Sequence, residues 1–500
     1  MLTLPLEPTD DRANPIFKDA AGCATWLNQL QLTNLQQAHG RLLKELGELN
    51  RYPMRGQDRL DILEPLQETV GFIQTDLAKK LLDKALPLND LELLTFNSLL
   101  HLWQAMITGY QRGLQSFISG EKQLARHGAL LCQRCLHFTG LKILEYLRTG
   151  YECPPGLWHQ LHELYAYAEQ QAFQHSETGA QSSCTASYLK TLLVCYADPA
   201  QLTRWQLQQI DIWLSLWSNT LTIANHYATS LNDAPPLAID LSGSQGLQST
   251  TEISGHASMR YLPMVPLSKL LRVKIILLQQ GQTPLQVGLG NQSDCQACLE
   301  LLSLAHQNWC EKKQLRACVR RPVNLPTTVV GEPARIFQTR LFSADTTDEA
   351  DSASRPENWQ MKDESIMGAC LVRTDANGSK LKRRQLIALH TVHHAALAAT
   401  VWIRVMQDGK LQTGVRYFPG QPEPVRIRPL NQPLPAEYAF LLPALPALKT
   451  PASLILPRNR FEAGRIIELI HQDGRIMQAT LGFSVEQGFN FERASFTIKK

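Results

Sequence analysis

The chain has 500 residues, too many for one ordinary hydrophobic core, and the usual domain size makes about three folding units the expectation. A hydrophobic fraction of 44% with 19% charged residues is the composition of a soluble globular protein and excludes a largely disordered one. The 49 Lys and Arg against 45 Asp and Glu leave a net charge of +4, far from the basic excess of a general nucleic-acid binder, so nucleic acid is not expected as a partner and any anion site must be local.

The first residues, MLTLPLEPTDDRANP, carry acids and prolines where a secretory signal has basic residues and an apolar run. The best apolar runs elsewhere, such as Lys274-Ile275-Ile276-Leu277-Leu278, are too short to cross a bilayer, so no membrane span and a cytoplasmic location are expected. The 11 cysteines, sparse and odd in number, read as free thiols. From about Cys23 to about Thr222, apolar residues recur at helical spacing with few β-branched clusters, which predicts an all-α domain over residues 1–228. Asn89 with Glu92 forms a start signal for a helix lined by Leu93, Phe96, Leu100 and Trp103. Asp198, with Pro199 and Gln201, is read as the cap of another, whose apolar face holds Leu207, Ile210, Leu214 and Trp217.

Past Pro235-Pro236 the pattern changes to short strand-like runs between Gly and polar turns, among them residues 272–278. Residues 229–312 are therefore expected to be a β-rich module with a helical interval around 296–307. A second set of short strands spans Val319 to about Phe418 and contains an Asp-, Ser- and Thr-rich stretch, 343–356, that reads as a solvated loop. Residues 429–500 are expected as a C-terminal β extension, with Asp473-Gly474 turning one strand into the next. The fold class is α+β.

The informative spacing is Arg316-Ala317-Cys318-Val319-Arg320, followed by Asp363-Glu364-Ser365-Ile366-Met367-Gly368. An R-x-x-x-R before the first strand with a D-x-S-x-x-G between later strands resembles the paired signature of PilZ domains, which bind cyclic di-GMP. Val401-Trp402-Ile403-Arg404, the Asp408-Gly409 turn and Gly414-Val415-Arg416-Tyr417-Phe418 resemble the closing strands of that barrel. The resemblance covers Arg316 to about Gly420 and implies a six-stranded β-barrel over residues 313–428. It further implies that Arg316 and Arg320 close over the dinucleotide, that Asp363 and Ser365 contact guanine, and that Gly368 supplies the backbone conformation ending the motif. The residue types suit this chemistry, because a guanidinium can fork onto a phosphate, stack on a purine, or bond O6 and N7 of guanine. The spacing from Arg320 to Asp363 is longer than usual in the family, and the 343–356 stretch would absorb the excess.

An echo of the second half, Asp240-Leu241-Ser242-Gly243-Ser244-Gln245-Gly246, has its glycine one position late and no R-x-x-x-R before it. Residues 229–312 are thus either a degenerate PilZ-like barrel that packs without binding or an unrelated β module. Cys132-x-x-Cys135 and Cys295-x-x-Cys298 have zinc-like spacing but sit far apart in helical stretches, and idle thiols are the simpler reading. His390, His393 and His394 read as structural, and Lys380, Lys382, Arg383 and Arg384 as the shoulder of a hairpin. No P-loop, nucleophile elbow or metalloprotease helix is present in the sequence, so neither an enzyme nor a cofactor is expected. The expected function is a cyclic di-GMP receptor whose helical domain docks an unidentified protein partner. The alternative is a scaffold or chaperone-like protein whose PilZ-like barrel no longer binds.

Overall fold

In the computed structural model, which describes residues 2–6, 10, 12–176, 182–227, 234–250, 256–290, 294–311, 318–338, 357–375, 378–392, 394–430, 435–446 and 449–499, the chain divides into two compact units. The first comprises Met1–Leu82, Asn89–Thr149 and Cys153–Leu315; the second comprises Asp83–Leu88, Gly150–Glu152 and Arg316–Lys500.

Among the described residues up to 227, the first unit holds the α-helices α1 (Ala20–Asn28), α2 (Leu35–Arg51), α3 (Gly56–Ala78), α4 (Asp90–Ile118), α5 (Gly128–Arg148), α6 (Pro155–Gln170), α7 (Cys184–Tyr196) and α8 (Arg204–Trp217). Asn89 and Glu92 form a reciprocal capping box at the start of α4, as their spacing predicts, and Phe96, Leu100 and Trp103 are buried along it. Asp198 does not cap α8. It adopts a left-handed conformation before the short 3-10 turn Pro199–Gln201, and the cap passes to Thr203, whose box with Gln206 lies directly before the apolar period of Ile210, Trp213, Leu214 and Trp217. The large aromatics are core, and their polar edges find acceptors there: Trp103 Nε1 donates to Glu145 Oε1 at 3.2 Å, Trp213 to the Leu289 carbonyl at 3.2 Å and Trp309 to the Leu193 carbonyl at 3.1 Å.

The residues expected as a separate β module join this helical unit and are not a barrel. Their described part holds a three-stranded sheet of β1 (Leu237–Asp240), β2 (Gln248–Ser249) and β3 (Met259–Leu262), with β1 central, and two helices, α9 (Val265–Gln279) and α10 (Cys295–Cys310). The strand reading of 272–278 fails because Leu267, Leu271 and Leu278 are buried at helical spacing, whereas Val273 and Ile276, which suggested a strand, stand exposed. Burial of one helical stripe outweighs a β-propensity of a few tenths of a kcal/mol per residue, a rough figure.

The second unit contains two closed six-stranded barrels. The first is formed by β4 (Arg321–Val330), β5 (Glu357–Ser365), β6 (Gly368–Arg373), β7 (Leu386–His390), β8 (Ala395–Val405) and β9 (Leu411–Tyr417), in spatial order β4-β5-β6-β9-β8-β7. A short helix, α11 (Pro333–Gln338), follows β4. The second is formed by β10 (Glu423–Pro429), β11 (Glu437–Leu442), β12 (Ser453–Pro457), β13 (Ile466–Ile470), β14 (Ile476–Gln487) and β15 (Phe491–Ile498), in the order β10-β11-β12-β15-β14-β13. Counted from its own first strand, each barrel has the same order, so the second repeats the topology of the first. The residues expected as a C-terminal β extension form a barrel in their own right, which takes its first strand, β10, from the end of the region expected as the first barrel. Gly474, at φ +85°, makes the turn from β13 to β14 that Asp473-Gly474 predicts.

The two barrels share one apolar seam. Leu386, Ala388, Leu397, Ala399 and Phe418 of the first pack with Phe440, Leu442, Ile455 and Phe491 of the second, and the Phe418 and Phe491 rings meet edge to face at 5.5 Å. This seam explains why Leu386-Ile387-Ala388-Leu389 does not alternate: both faces of β7 are buried. Polar contacts flank the seam, with Asn490 Oδ1 accepting from Leu386 N at 2.9 Å and the Arg384 carbonyl accepting from Phe489 N at 2.7 Å. Two short excursions of the chain, 83–88 and 150–152, also belong to this unit. Leu86 exchanges backbone hydrogen bonds of 2.9 and 2.8 Å with Leu381, and Glu152 N donates to the Val405 carbonyl at 2.8 Å.

Phe491 is fully buried at the seam, so Phe491→Ala should cost about 3–5 kcal/mol, read as a lowered denaturant midpoint. A loss below about 1 kcal/mol would show that the barrels do not depend on a common core.

Candidate functional site

Arg320 immediately precedes β4, and the pairing of β4 with β5 sets Pro322 opposite Asp363. Across that pairing Arg320 Nη1 donates to Asp363 Oδ1 at 2.5 Å, with 24% and 31% of the two side chains exposed. One residue from each half of the sequence motif is thus in direct contact, although 43 positions separate them. Arg316 and the stretch 343–356 lie outside the described residues.

The second half of the motif is a tight hairpin. Ser365 on β5 pairs with Gly368 on β6, and Ile366 and Met367 form the exposed turn. Ser365 Oγ donates to the Gly368 carbonyl at 3.1 Å and accepts from Met367 N at 3.4 Å, so the serine holds the turn from inside it. Gly368 is required for a reason other than the expected one. Its φ is not left-handed; a Cβ placed on it would lie 2.0 Å from the Val415 carbonyl oxygen of β9. Absence of a side chain lets β6 and β9 close at this point.

Residues that the motif does not contain complete this end of the barrel. Tyr417 donates to Glu364 Oε1 at 2.8 Å, and His394 Nε2 lies 3.4 Å from the same oxygen with its ring edge-on to Tyr417. Burial, and after it the Glu364 carboxylate, push the Tyr417 phenol up, which keeps it a donor. Glu364 is remote from His394 along the chain, so no local pattern pairs them; the fold of the barrel brings them together. His390 ends β7, and His393 lies outside the described residues.

The other candidates are engaged elsewhere. Asp240 Oδ1 accepts from Ser242 N at 2.9 Å and from Ser242 Oγ at 2.7 Å, a self-satisfied turn in the first unit. Lys382 sits over the Phe489 ring at 4.5 Å, and Arg383 Nε donates to the Val401 carbonyl at 3.2 Å, so these members of the basic run pack and tether. Cys132 and Cys135 are buried in α5, where Cys132 is pushed up by Cys184 and Cys135 by burial, an environment that favours the protonated thiol; Cys295 is exposed and Cys298 buried in α10.

Comparison with known proteins bears on both units. Residues 20–228, a region that its sequence pattern left without a family, match the family model described as the N-terminal domain of the cyclic-di-GMP receptor FimW. Residues 425–498 match the model of the FimW C-terminal beta-barrel domain. The chain is 23% identical to the cyclic-di-GMP receptor FimW of Pseudomonas aeruginosa, over 94% of this chain and 89% of that protein. The barrel carrying Arg320 and Asp363 lies between the two matched segments.

Because a Cβ at Gly368 would strike backbone, Gly368→Ala should destabilise the protein by about 1–3 kcal/mol, seen as a lowered thermal midpoint. An unchanged midpoint would mean that the Val415 carbonyl moves aside freely.

Proposed function

We propose that the protein is a cyclic di-GMP receptor that binds the dinucleotide at the Arg320 end of its first barrel, which is PilZ-like. The observation that carries this reading is the contact of Arg320 with Asp363, the two halves of the signature meeting at one end of one barrel. The likeness to a protein named as a cyclic-di-GMP receptor supports it over nearly the whole chain.

The partly exposed Arg320–Asp363 pair is worth about 0–1 kcal/mol, less than the roughly 1.5–3 kcal/mol of a charge-assisted bond to phosphate. A phosphate can therefore draw the guanidinium away and leave Asp363 to accept from N1–H and N2–H of guanine. Arg316, four positions earlier, would close on the same ligand, with Ser365 and Gly368 fixing the hairpin beneath it. A receptor of this kind needs no catalytic group or cofactor. Its output would run through the helical unit, the larger of the two by residue number, by a shift between two states for which the ligand has different affinities. Segments 83–88 and 150–152 are continuous with the helical chain and hydrogen-bonded to Leu381, between β6 and β7, and to Val405 of β8, which gives such a shift a covalent route.

Calorimetry on the full-length chain tests the site. Cyclic di-GMP should bind; Arg316→Ala, Arg320→Ala or Asp363→Ala should weaken it about tenfold or more, and Asp240→Ala should leave it unchanged. An absence of heat with the wild-type protein, its fold intact by circular dichroism, would overturn the assignment. For the output, amide hydrogen exchange should change on ligand addition at 83–88 and 150–152 as well as at the barrel end. A change confined to the barrel would remove these segments from the signalling path.

A further inference from the structure

The face that carries Asp363 does not end there. Between Met361 and Asp363 the register of β5 against β6 slips, so that Met361 is buried inside the barrel, Lys362 is exposed, and Asp363 falls opposite Cys370. Gln360 lies opposite Val372, two residues from Cys370, and side chains two apart on a strand share a face. Across β9 the same rows continue, Cys370 to Gly414 and Val372 to Gln412. The outer surface therefore presents one row holding Asp363 and, about 7 Å along the strands, another holding Gln360 and Gln412.

Over that second row lies a cleft of about 550 Å³, a volume typical of small-ligand sites, lined by Asn324, Gln360, Lys362, Asp408, Lys410 and Gln412 among others. Its polar groups are lightly engaged. Lys362 Nζ reaches Asn324 Oδ1 at 3.3 Å, Gln412 Nε2 reaches only the Cys370 thiol at 3.5 Å, and Asp408 pairs at 2.6 Å with an exposed Lys410. Together they offer ammonium donors, amide donors and acceptors, and one carboxylate. Guanine presents an O6 acceptor beside N1–H and N2–H donors, which a lysine and a carboxylate or amide oxygen complement; adenine has a donor where guanine has O6.

We propose that this cleft is a guanine subsite, which takes the second base of the cyclic dinucleotide whose first base meets Asp363 and Ser365. The inference rests on the receptor reading above and adds Gln360, Lys362 and Gln412 to the residues that read the ligand. None of the three belongs to the motif.

The test is calorimetry on the full-length chain with cyclic di-GMP and with the mixed cyclic GMP–AMP. Wild type should prefer cyclic di-GMP. The double variant Gln360→Leu/Gln412→Leu, and separately Lys362→Met, should weaken cyclic di-GMP about tenfold or more while cyclic GMP–AMP falls much less, so that the preference shrinks. Wild-type affinity and preference in these variants, alongside lost binding in Arg320→Ala, would overturn the subsite and leave the receptor reading standing. Equal weakening of both ligands, or no preference in wild type, would overturn the guanine assignment. Failure of wild type to bind either dinucleotide would remove the receptor reading and this inference with it.

Discussion

The apolar seam between the two barrels is the constraint on which the second unit depends. A closed barrel has no free edge, so it can associate only through the outward faces of its strands. Here those faces carry Leu386, Ala388, Leu397 and Ala399 on one side and Phe440, Leu442, Ile455 and Phe491 on the other, with Phe418 wedged against Phe491. Burying them fixes β7 and β8 from outside as well as from within. Three strands that contribute no residue to the seam, β5, β6 and β9, carry Asp363, Gln360 and Gln412.

The two barrels repeat one topology but differ in the connection between their second and third strands. In the first barrel the second and third strands are joined by the hairpin at Ser365–Gly368, short enough for a serine to satisfy it and a glycine to let β9 approach. In the second barrel the equivalent connection, residues 443–452, carries Pro443, Pro446 and Pro451 and no D-x-S-x-x-G, and no arginine pair precedes β10. It has its own core, with Val425, Ile427, Leu454, Leu469 and Leu481 buried together. The second barrel contributes packing: Arg416 of β9 is held by Glu486 at 2.6 Å, which ties the strand beneath Gly368 to the neighbouring barrel.

The site itself is a product of irregularity in otherwise regular strands. The register slip at Lys362 sets that lysine and Asp363 side by side at the surface, and the break in β4 between Pro322 and Leu325 lies across from it. Proline cannot donate to a ladder, so Pro322 favours the interruption that brings Arg320 over Asp363. Small departures of this kind re-aim side chains at little cost, which is why binding surfaces gather around them.

The sequence alone determined the helical identity of the first 200 residues or so, because a 3.6-residue apolar period with a box such as Asn89–Glu92 leaves the chain no competing structure. It also determined the strand character of much of the Val319–Phe418 region, though not its short helix Pro333–Gln338, and singled out the motif, since turn residues and charged groups at fixed offsets are local signals. It misjudged 272–278, where β-branched residues stand on the exposed side of a helix whose leucines are buried, and it placed a cap at Asp198 when Thr203 was better positioned. What only the tertiary structure decided is everything set by long-range pairing. That Glu364 would meet both Tyr417 and His394, that Gly368 answers to a carbonyl on β9, that residues 423–498 close into a second barrel, and that 83–88 and 150–152 leave the helical chain to join the barrel unit all depend on partners remote in sequence. A period of two residues marks a strand, but it does not say which strand lies beside it.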